Sequence, residues 1–574
     1  MYILGINAYH GGASACLIHD GEIIAAVEEE RFNRIKYWAG FPRQSIRYCL
    51  EAADITLADL DHIGVSRDPN AHLYQKIIFS LSHRPHLNLL KNRLANVGKI
   101  RNIERELCKI FNIATSSLRA QIHNVEHHKA HIASSFLVSP FDRAAVLSLD
   151  GFGDFVSTMW GEAFGTDIKI SDFIEFPHSL GIFYTAVSQH LGFTRYGDEG
   201  KVMGLAPYGN PTYLDAFRKI VQLRKAGHFE LDLSYFVHHD QGVEMTWDDG
   251  EPTLGTIYSE KFVQQFGPPR RPRTEITPSH ADMAASLQVM LEEAVFHLLA
   301  HLHKITRQKN LCLAGGVALN SVMNGKICSQ APFDRIFIQP GAGDAGTSLG
   351  AAYYIYHTHL KHDRCYQMAH AYTGTAFTAE EVRATLDLYA LNYKTYGEME
   401  ISAKGAELIA SGKVLGWFQG QMEFGPRALG NRSIIADPRQ KEVKAILNDR
   451  VKHRENFRPF ASSILSEATS EYFDQSEPSP FMLKVYRVRD DKKDCIPGVT
   501  HVDQTGRLQT VDKCTNPKYW QLIKAFEKLT GVPVVLNTSF NENEPIVNTP
   551  KNAVECFLRT KMDALIIDNY LIEK

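Results

Sequence analysis

A chain of 574 residues has room for two to four separately cored units, and its 44% apolar and 22% charged content is that of an ordinary globular protein. The formal charge of −3 excludes a global electrostatic pull toward nucleic acid or an anionic membrane. Nine scattered cysteines with no CxxC exclude a structural zinc finger or a disulfide scaffold and point to a reducing cytoplasm.

The opening "MYILGINAYHGG" lacks the basic region, apolar run and cleavage site of a signal peptide. No apolar run approaches the roughly 20 residues that span a bilayer. "YILGIN", Gly11-Gly12, "SACLIH", Asp20-Gly21 and "EIIAAVEEE" predict strand, turn, strand, turn, strand; Asp-Gly between apolar runs signals a hairpin because the turn needs positive φ. Residues 83–101, "HRPHLNLLKNRLANVGKIR", are basic and read as a solvated helix face. "AAVLSLD", Asp150-Gly151, "FVSTMWGEAF" and "IKISDFIEF" then repeat the strand–turn–strand–strand order. "NLCLAGGVALNSVMNGKI" and "RIFIQPGAGDAGTSLGAAYYIY" each run strand, glycine loop, helix, where glycines let backbone approach a ligand and a helix N-terminus favours phosphate. Duplicated modules of this kind, each followed by helices, predict an α/β chain whose first domain, residues 1–356, has the actin-like/sugar-kinase fold. Residues 357–375 are polar and lack periodicity, which predicts a linker. Residues 376–574 predict a second, smaller α/β domain.

"VEHHKAHIASSF" places three histidines within five residues. On a helix His127 and His131 share one face, with Cβ atoms roughly 6 Å apart, and such a pair can grip a metal ion. His128 is rotated away and reads as a packing residue. Asp150 is expected at a strand end in a glycine turn, and Asp344 in the loop "GAGDAG". Two imidazoles with two carboxylates suit Fe(II), Mn(II) or Zn(II).

These strings, with "SLDGFGD", "EGKVMGLAPYG", "FGPRALGNRSI", "RENFRPFA" and "VVLNTSFNENEPIV", resemble the O-carbamoyltransferases of antibiotic, toxin and nodulation-factor biosynthesis over essentially the whole chain. The resemblance implies a threonylcarbamoyl-transferase-like first domain and a YrdC-like second domain. ATP and carbamoyl phosphate would give carbamoyl-adenylate at the second, and the first would move the carbamoyl group to a hydroxyl of a small-molecule alcohol, a natural product. It places metal ligands, Fe(II) favoured, on His127, His131, Asp150 and Asp344, and nucleotide contacts on Lys36, Gly316 and Asn320. Carbamoyl-phosphate contacts fall on Arg427, Arg458, Arg507 and Asn537, with Ser539 nearby and Arg432 in the same motif; arginine's planar fork pairs two oxygens of phosphate or carbamate. One departure matters. Where family members carry "HDAS", with histidine as the acceptor's base, this chain reads "YHGGAS", so that histidine falls on Gly11. His10, one residue earlier, is left as base or as loop residue.

A tRNA threonylcarbamoyl transferase would share the first domain but not the fused second. The hydrogenase-maturation enzymes carry acylphosphatase and CxxC regions that are absent here. An actin-like ATP-binding assembly protein would leave the arginines and the histidine pair without a role. The acceptor, expected to contact residues 66–120 and the segment "SLGIFYTAVSQHLGFTRYGDEGKVMG", and the choice between monomer and homodimer are not legible; no nucleic-acid or membrane partner is expected.

Overall fold

The computed structural model describes residues 1–83, 98–241, 245–246, 250–475 and 477–574. Most of the basic stretch 83–101, and part of the segment 66–120 expected to meet the acceptor, lie outside them. The chain divides between Met368 and Ala369 into two units, with Arg31–Arg34 and Ser321–Gly325 grouped with the second.

The first unit contains two five-stranded sheets of the same topology. In one, β1 (Tyr2–Asn7), β2 (Ser14–His19), β3 (Glu22–Glu28), β4 (His62–Val65) and β5 (Gln121–Asn124) lie in the order β3-β2-β1-β4-β5. In the other, β6 (Arg143–Gly153), β7 (Val156–Phe164), β8 (Asp167–Glu175), β9 (Asn310–Ala314) and β10 (Arg335–Ile338) lie in the order β8-β7-β6-β9-β10. In both, the first three strands are antiparallel neighbours and the last two run parallel to the first. This duplicated 3-2-1-4-5 order is the actin-like/sugar-kinase fold.

The first hairpin turns where the sequence signalled it, at Asp20 (φ 49°) and Gly21 (φ 86°). The second does not. β6 runs through Asp150-Gly151, the pairing with β7 slips between Leu149 and Gly153, and the turn falls on Asp154 (φ 47°) and Phe155 (φ 79°). Asp150 therefore sits at an irregularity inside a strand, where a bulge re-aims a side chain, and not in a turn.

Helix α1 (His127–Phe136) starts at Glu126, whose carboxylate accepts the backbone N–H groups of His128 and Lys129 at 3.1 and 2.8 Å. Later in the chain come α2 (Leu180–His190), α3 (Pro278–Thr306) and α4 (Gly346–Tyr353). By length and composition α3 alone among the described residues could cross a membrane, yet 72% of its most apolar window is buried within the fold, as in a core helix. Helix α4 packs closely on two sides. A Cβ at Gly350 would overlap the carbonyl oxygen of Ala130 on α1, and one at Gly5 on β1 would overlap that of Ser348. Gly350 sets the distance from α4, which follows Asp344, to α1, which carries the histidines, and Gly5 sets that from α4 to β1.

The second unit is built on a nine-stranded sheet. Its strands are β11 (Lys394–Thr395), β12 (Leu415–Phe418), β13 (Arg432–Ala436), β14 (Ala461–Leu465), β15 (Lys484–Arg487), β16 (Thr505–Val511), β17 (Val534–Ser539), β18 (Ala564–Ile567) and β19 (Tyr570–Glu573). They lie in the order β11-β19-β18-β12-β13-β17-β14-β16-β15. Helices α5 (Glu398–Ala410) and α7 (Pro517–Thr530), with α6 (Val443–Arg450) between them in sequence, supply Ile401, Ile409, Leu447, Leu522 and Phe526 to one apolar core against the sheet.

Gly350→Ala is expected to lower stability by about 1–3 kcal/mol, the cost of forcing a methyl into a close-packed contact. Thermal unfolding at unchanged midpoint would mean that α4 does not rest on α1 at this glycine.

Candidate functional site

His127 and His131 are fully buried on the inner face of α1, with Nε2 atoms 3.1 Å apart. Asp150 Oδ2 lies 3.1 Å from His127 Nε2 and 3.6 Å from His131 Nε2. Asp344 Oδ1 lies 3.6 and 3.5 Å from the same two nitrogens. One donor atom from each residue falls within 4.8 Å of all the others. Donors bound about 2.1 Å from a common cation stand roughly 3.0 Å apart in an octahedron and 3.4 Å in a tetrahedron, so the spacing fits one ion. The backbone N–H of Gly316 donates to Asp150 Oδ1 at 3.0 Å, and that of His127 to Asp154 at 3.0 Å. A Cβ at Gly153 would overlap the His127 ring, so this glycine makes room for it. Nδ1 of each histidine has no hydrogen-bond partner among the described residues, unlike most metal imidazoles.

The electrostatics point the same way. Burial works to raise Asp150, but the hydrogen bonds and charges of His127 and His131 outweigh it and hold the carboxyl well below its usual range. At Asp344 burial is again outweighed, here by His10 first, and the carboxyl lies at about 2. His131 is drawn up to about 9 by the two carboxylates against burial, whereas burial and the His131 charge lower His127. Two buried negative charges thus recruit a proton onto an imidazole; a cation at the centre would balance them with both rings neutral.

His128 has another occupation. Its Nδ1 lies 2.9 Å from Ser148 Oγ and its Nε2 2.9 Å from the Val156 carbonyl, so both ring nitrogens are satisfied inside the core. The sequence reading of it as a packing residue agrees with that placement.

His10 meets the cluster at its edge, with Nδ1 against Asp344 Oδ2. An imidazole that donates Nδ1–H to a carboxylate presents Nε2 as a proton acceptor. Asp344 therefore has one oxygen toward the histidine pair and the other toward His10. Lys36 is half-buried in a turn that follows the first hairpins. Asn320 makes a reciprocal amide pair with Gln288, at 2.9 and 3.1 Å.

The second unit gathers guanidinium groups. Asn537 stands opposite Ala461, which stands opposite Arg507, so these residues form one row across β17, β14 and β16. Glu423 Oε1 collects the backbone N–H groups of Leu429, Asn431 and Arg432 at 2.7, 2.8 and 3.2 Å and fixes the loop that carries Arg427. Arg507 is pushed well down by burial and then by the charges of Arg427, Arg454 and Arg458; Arg454 is pushed down to about 9 by burial and by Arg458. A guanidinium keeps its proton in proteins, so an anion, not deprotonation, relieves this crowding. Asn537 is fully buried, and its Oδ1 has no hydrogen-bond partner among the described residues. Ser539 Oγ donates to Asn541 Oδ1 at 2.8 Å, and the buried Lys452 donates to the Ser539 and Asn541 carbonyls at 2.5 and 2.7 Å.

One sequence expectation changes here, and one residue is added. Arg432 is fully buried; it donates to the carbonyls of Gln419, Gly420, Asn431 and Thr375, and its guanidinium lies 3.7 Å from the Phe418 ring centroid. It holds the fold and is corrected from anion ligand to structural residue. Arg454, inside "RENFRPFA", joins the cluster, with Glu455 beside it offsetting part of the crowding.

Sites with such opposite demands, one for a cation and one for anions, suit group transfer between anionic substrates. The chain belongs to the carbamoyltransferase family: the Carbamoyltransferase N-terminus model matches residues 2–353 and the Carbamoyltransferase C-terminus model residues 406–574. Among its relatives, Uncharacterized protein sll1178 of Synechocystis is 40% identical, spanning 100% of this chain and 97% of that protein. Nodulation protein NolNO of Sinorhizobium fredii is 40% identical over 99% of this chain and 80% of its own length. Nodulation protein NolO of Bradyrhizobium diazoefficiens is 41% identical over 78% and 79%. The chain is therefore a transferase, and the reading as a non-enzymatic assembly protein falls away.

Replacing Arg432 by Gln should destabilise the protein by about 3 kcal/mol or more, because buried carbonyls lose charged donors. Replacing Arg507 by Gln should instead stabilise the ligand-free protein by about 0.5–2 kcal/mol, since it thins a cluster of like charges. Denaturant midpoints that move in the same direction for both variants would contradict the division between structural and anion-seeking arginines.

Proposed function

We propose that the chain is an ATP-dependent O-carbamoyltransferase that works through carbamoyl-adenylate. In the second unit Arg427, Arg458 and Arg507, with Arg454, hold the dianion of carbamoyl phosphate. The buried Asn537 Oδ1 accepts from the carbamoyl amide, which would give that orphaned acceptor its donor. Ser539 contributes its hydroxyl at the same edge. Water hydrolyses carbamoyl phosphate to carbamate and inorganic phosphate; a carbamate oxygen then attacks the α-phosphate of ATP, and pyrophosphate leaves with the electron pair of the broken P–O bond. Lys36, Gly316 and Asn320 contact the nucleotide during transfer, Asn320 jointly with its partner Gln288.

In the first unit the carbamoyl group passes to a hydroxyl of a small-molecule alcohol, an intermediate of natural-product biosynthesis. His127, His131, Asp150 and Asp344 would hold a divalent ion, Fe(II) by preference and Mn(II) or Zn(II) as alternatives, which when bound supplies Lewis-acid polarisation of the acyl phosphate. His10 takes the acceptor's proton at Nε2, oriented by Asp344 through Nδ1. The cytoplasm fits the nine cysteines, all of them free thiols.

The observation that carries this reading is the guanidinium cluster in a member of the carbamoyltransferase family: Arg427, Arg454 and Arg458 push the half-buried Arg507 well down, and an anionic substrate would compensate the gathered charge. Carbamoyl-phosphate-dependent pyrophosphate–ATP exchange is the direct test, and wild-type protein that shows none would overturn the reading. Arg458→Ala should reduce exchange by one to two decades or more while metal content stays at the wild-type level, since a charge-assisted contact contributes roughly 1.5–3 kcal/mol. His127→Ala and His131→Ala should lose both metal and transfer while retaining exchange. His128→Ala should keep the metal but lose stability, about 2–4 kcal/mol for the cavity and two orphaned partners. Elemental analysis that finds full metal occupancy in both His127→Ala and His131→Ala would remove these residues as ligands.

A further inference from the structure

Gly11 has no side chain for a reason that its own backbone does not supply. Gly12 occupies the left-handed region at φ +73°, but Gly11 does not, so an L-residue could adopt its conformation. Tyr196 fills the space instead. A Cβ at Gly11 would stand 2.8 Å from the Tyr196 hydroxyl oxygen and 2.9 Å from Cζ. The phenol thus ends over the residue next to His10, whose ring touches Asp344.

Tyr196 is held there from several sides. Its ring meets Tyr37 edge-on at 5.2 Å between centroids. Gly197, at φ +85°, leaves room that Tyr37 occupies. The turn that carries Tyr196 is closed by Asp198 N–H to the Arg195 carbonyl at 3.1 Å and by Arg195 N–H to the Asp198 carboxylate at 3.2 Å. Lys201 pairs with the same carboxylate at 2.7 Å. Burial, then the charges of Asp344 and Asp150, push the phenol well above its ordinary value, so it stays a hydrogen-bond donor at neutral pH. The phenol ends beside the loop that carries His10, and a neutral donor there can meet negative charge that develops in acyl transfer.

We infer that Tyr196 is a catalytic residue of the carbamoyl-transfer step, its O–H donating to the carbonyl oxygen of the carbamoyl group as the acceptor attacks. The inference rests on the two-step reading above. The acceptor oxygen bonds to the carbamoyl carbon and its proton passes to His10. The carbonyl π pair moves onto the oxygen held by Tyr196. Its return breaks the bond to the AMP phosphate oxygen, and AMP leaves with that electron pair.

Two variants test this. Tyr196→Phe keeps the ring and removes only the hydroxyl. Gly11→Ala leaves Tyr196 intact but pushes its hydroxyl aside. Each is assayed in single turnover with ATP and carbamoyl phosphate, with glycerol as the probe alcohol and water competing, and AMP release is read alongside pyrophosphate exchange. Both variants should retain exchange, the KM for ATP and the metal, while AMP release slows about 100-fold, the usual loss for one oxyanion donor. AMP release within threefold of wild type in both variants would overturn the role, and so would exchange falling in step with it, which marks a merely structural tyrosine. Absence of carbamoyl-phosphate-dependent exchange in the wild type would instead reject the two-step reading on which the inference stands.

Discussion

The carboxylate of Asp344 is the group on which the first unit's site depends. One oxygen lies 3.5–3.6 Å from the two imidazole Nε2 atoms of α1, and the other faces His10. Two buried carboxylates this close to each other are costly unless positive charge is shared among them. The protein meets that cost with His131, drawn up to about 9, while His10 hydrogen-bonds the other oxygen of Asp344 at the rim. Any rearrangement that moves Asp344 therefore disturbs the proposed ligand set and the proposed base together. The close packing of α4 at Gly5 and Gly350 is best understood as the mechanical counterpart of that electrostatic constraint.

Duplication explains why the cluster can be assembled at all. His127 follows the last strand of the first sheet, Asp150 lies in the first strand of the second, and Asp344 follows the last strand of the second. Each residue leaves its sheet at a strand end or at a bulge, where side chains can be aimed without disrupting the ladder. Strand order places these ends together although the residues are separated by up to 217 positions, from His127 to Asp344.

Local chemistry was legible in the sequence, and long-range contact was not. Asp20-Gly21 signalled its turn because positive φ is a property of those two residues. The Asp150-Gly151 pair carried the same signal but lies inside β6, because β-pairing with β7 outweighed the local preference. The pair His127 and His131 was readable from helical spacing alone, and so was the exclusion of His128. Arg432 and Arg458 look alike in sequence; only burial and four carbonyl partners distinguish the first. Tyr196 lies in a segment expected to meet the acceptor, but the residue itself could not be told from its neighbours, because its placement depends on Gly11, 185 positions away.

The two units illustrate opposite solutions to one problem. A site that must bind charge has to be built from charge, and it is strained until its ligand arrives. In the first unit the strain is negative and partly relieved by a proton on His131; a cation held there as proposed would have to displace that proton, so its binding would weaken as pH falls. In the second unit the strain is positive, and guanidiniums cannot relieve it by titration. Anions that fill the proposed site should therefore stabilise the second unit at any pH where they remain charged. The first unit is thus open to competition from protons, and the second only from other anions. This asymmetry follows from which side chains line each site, not from the fold that carries them.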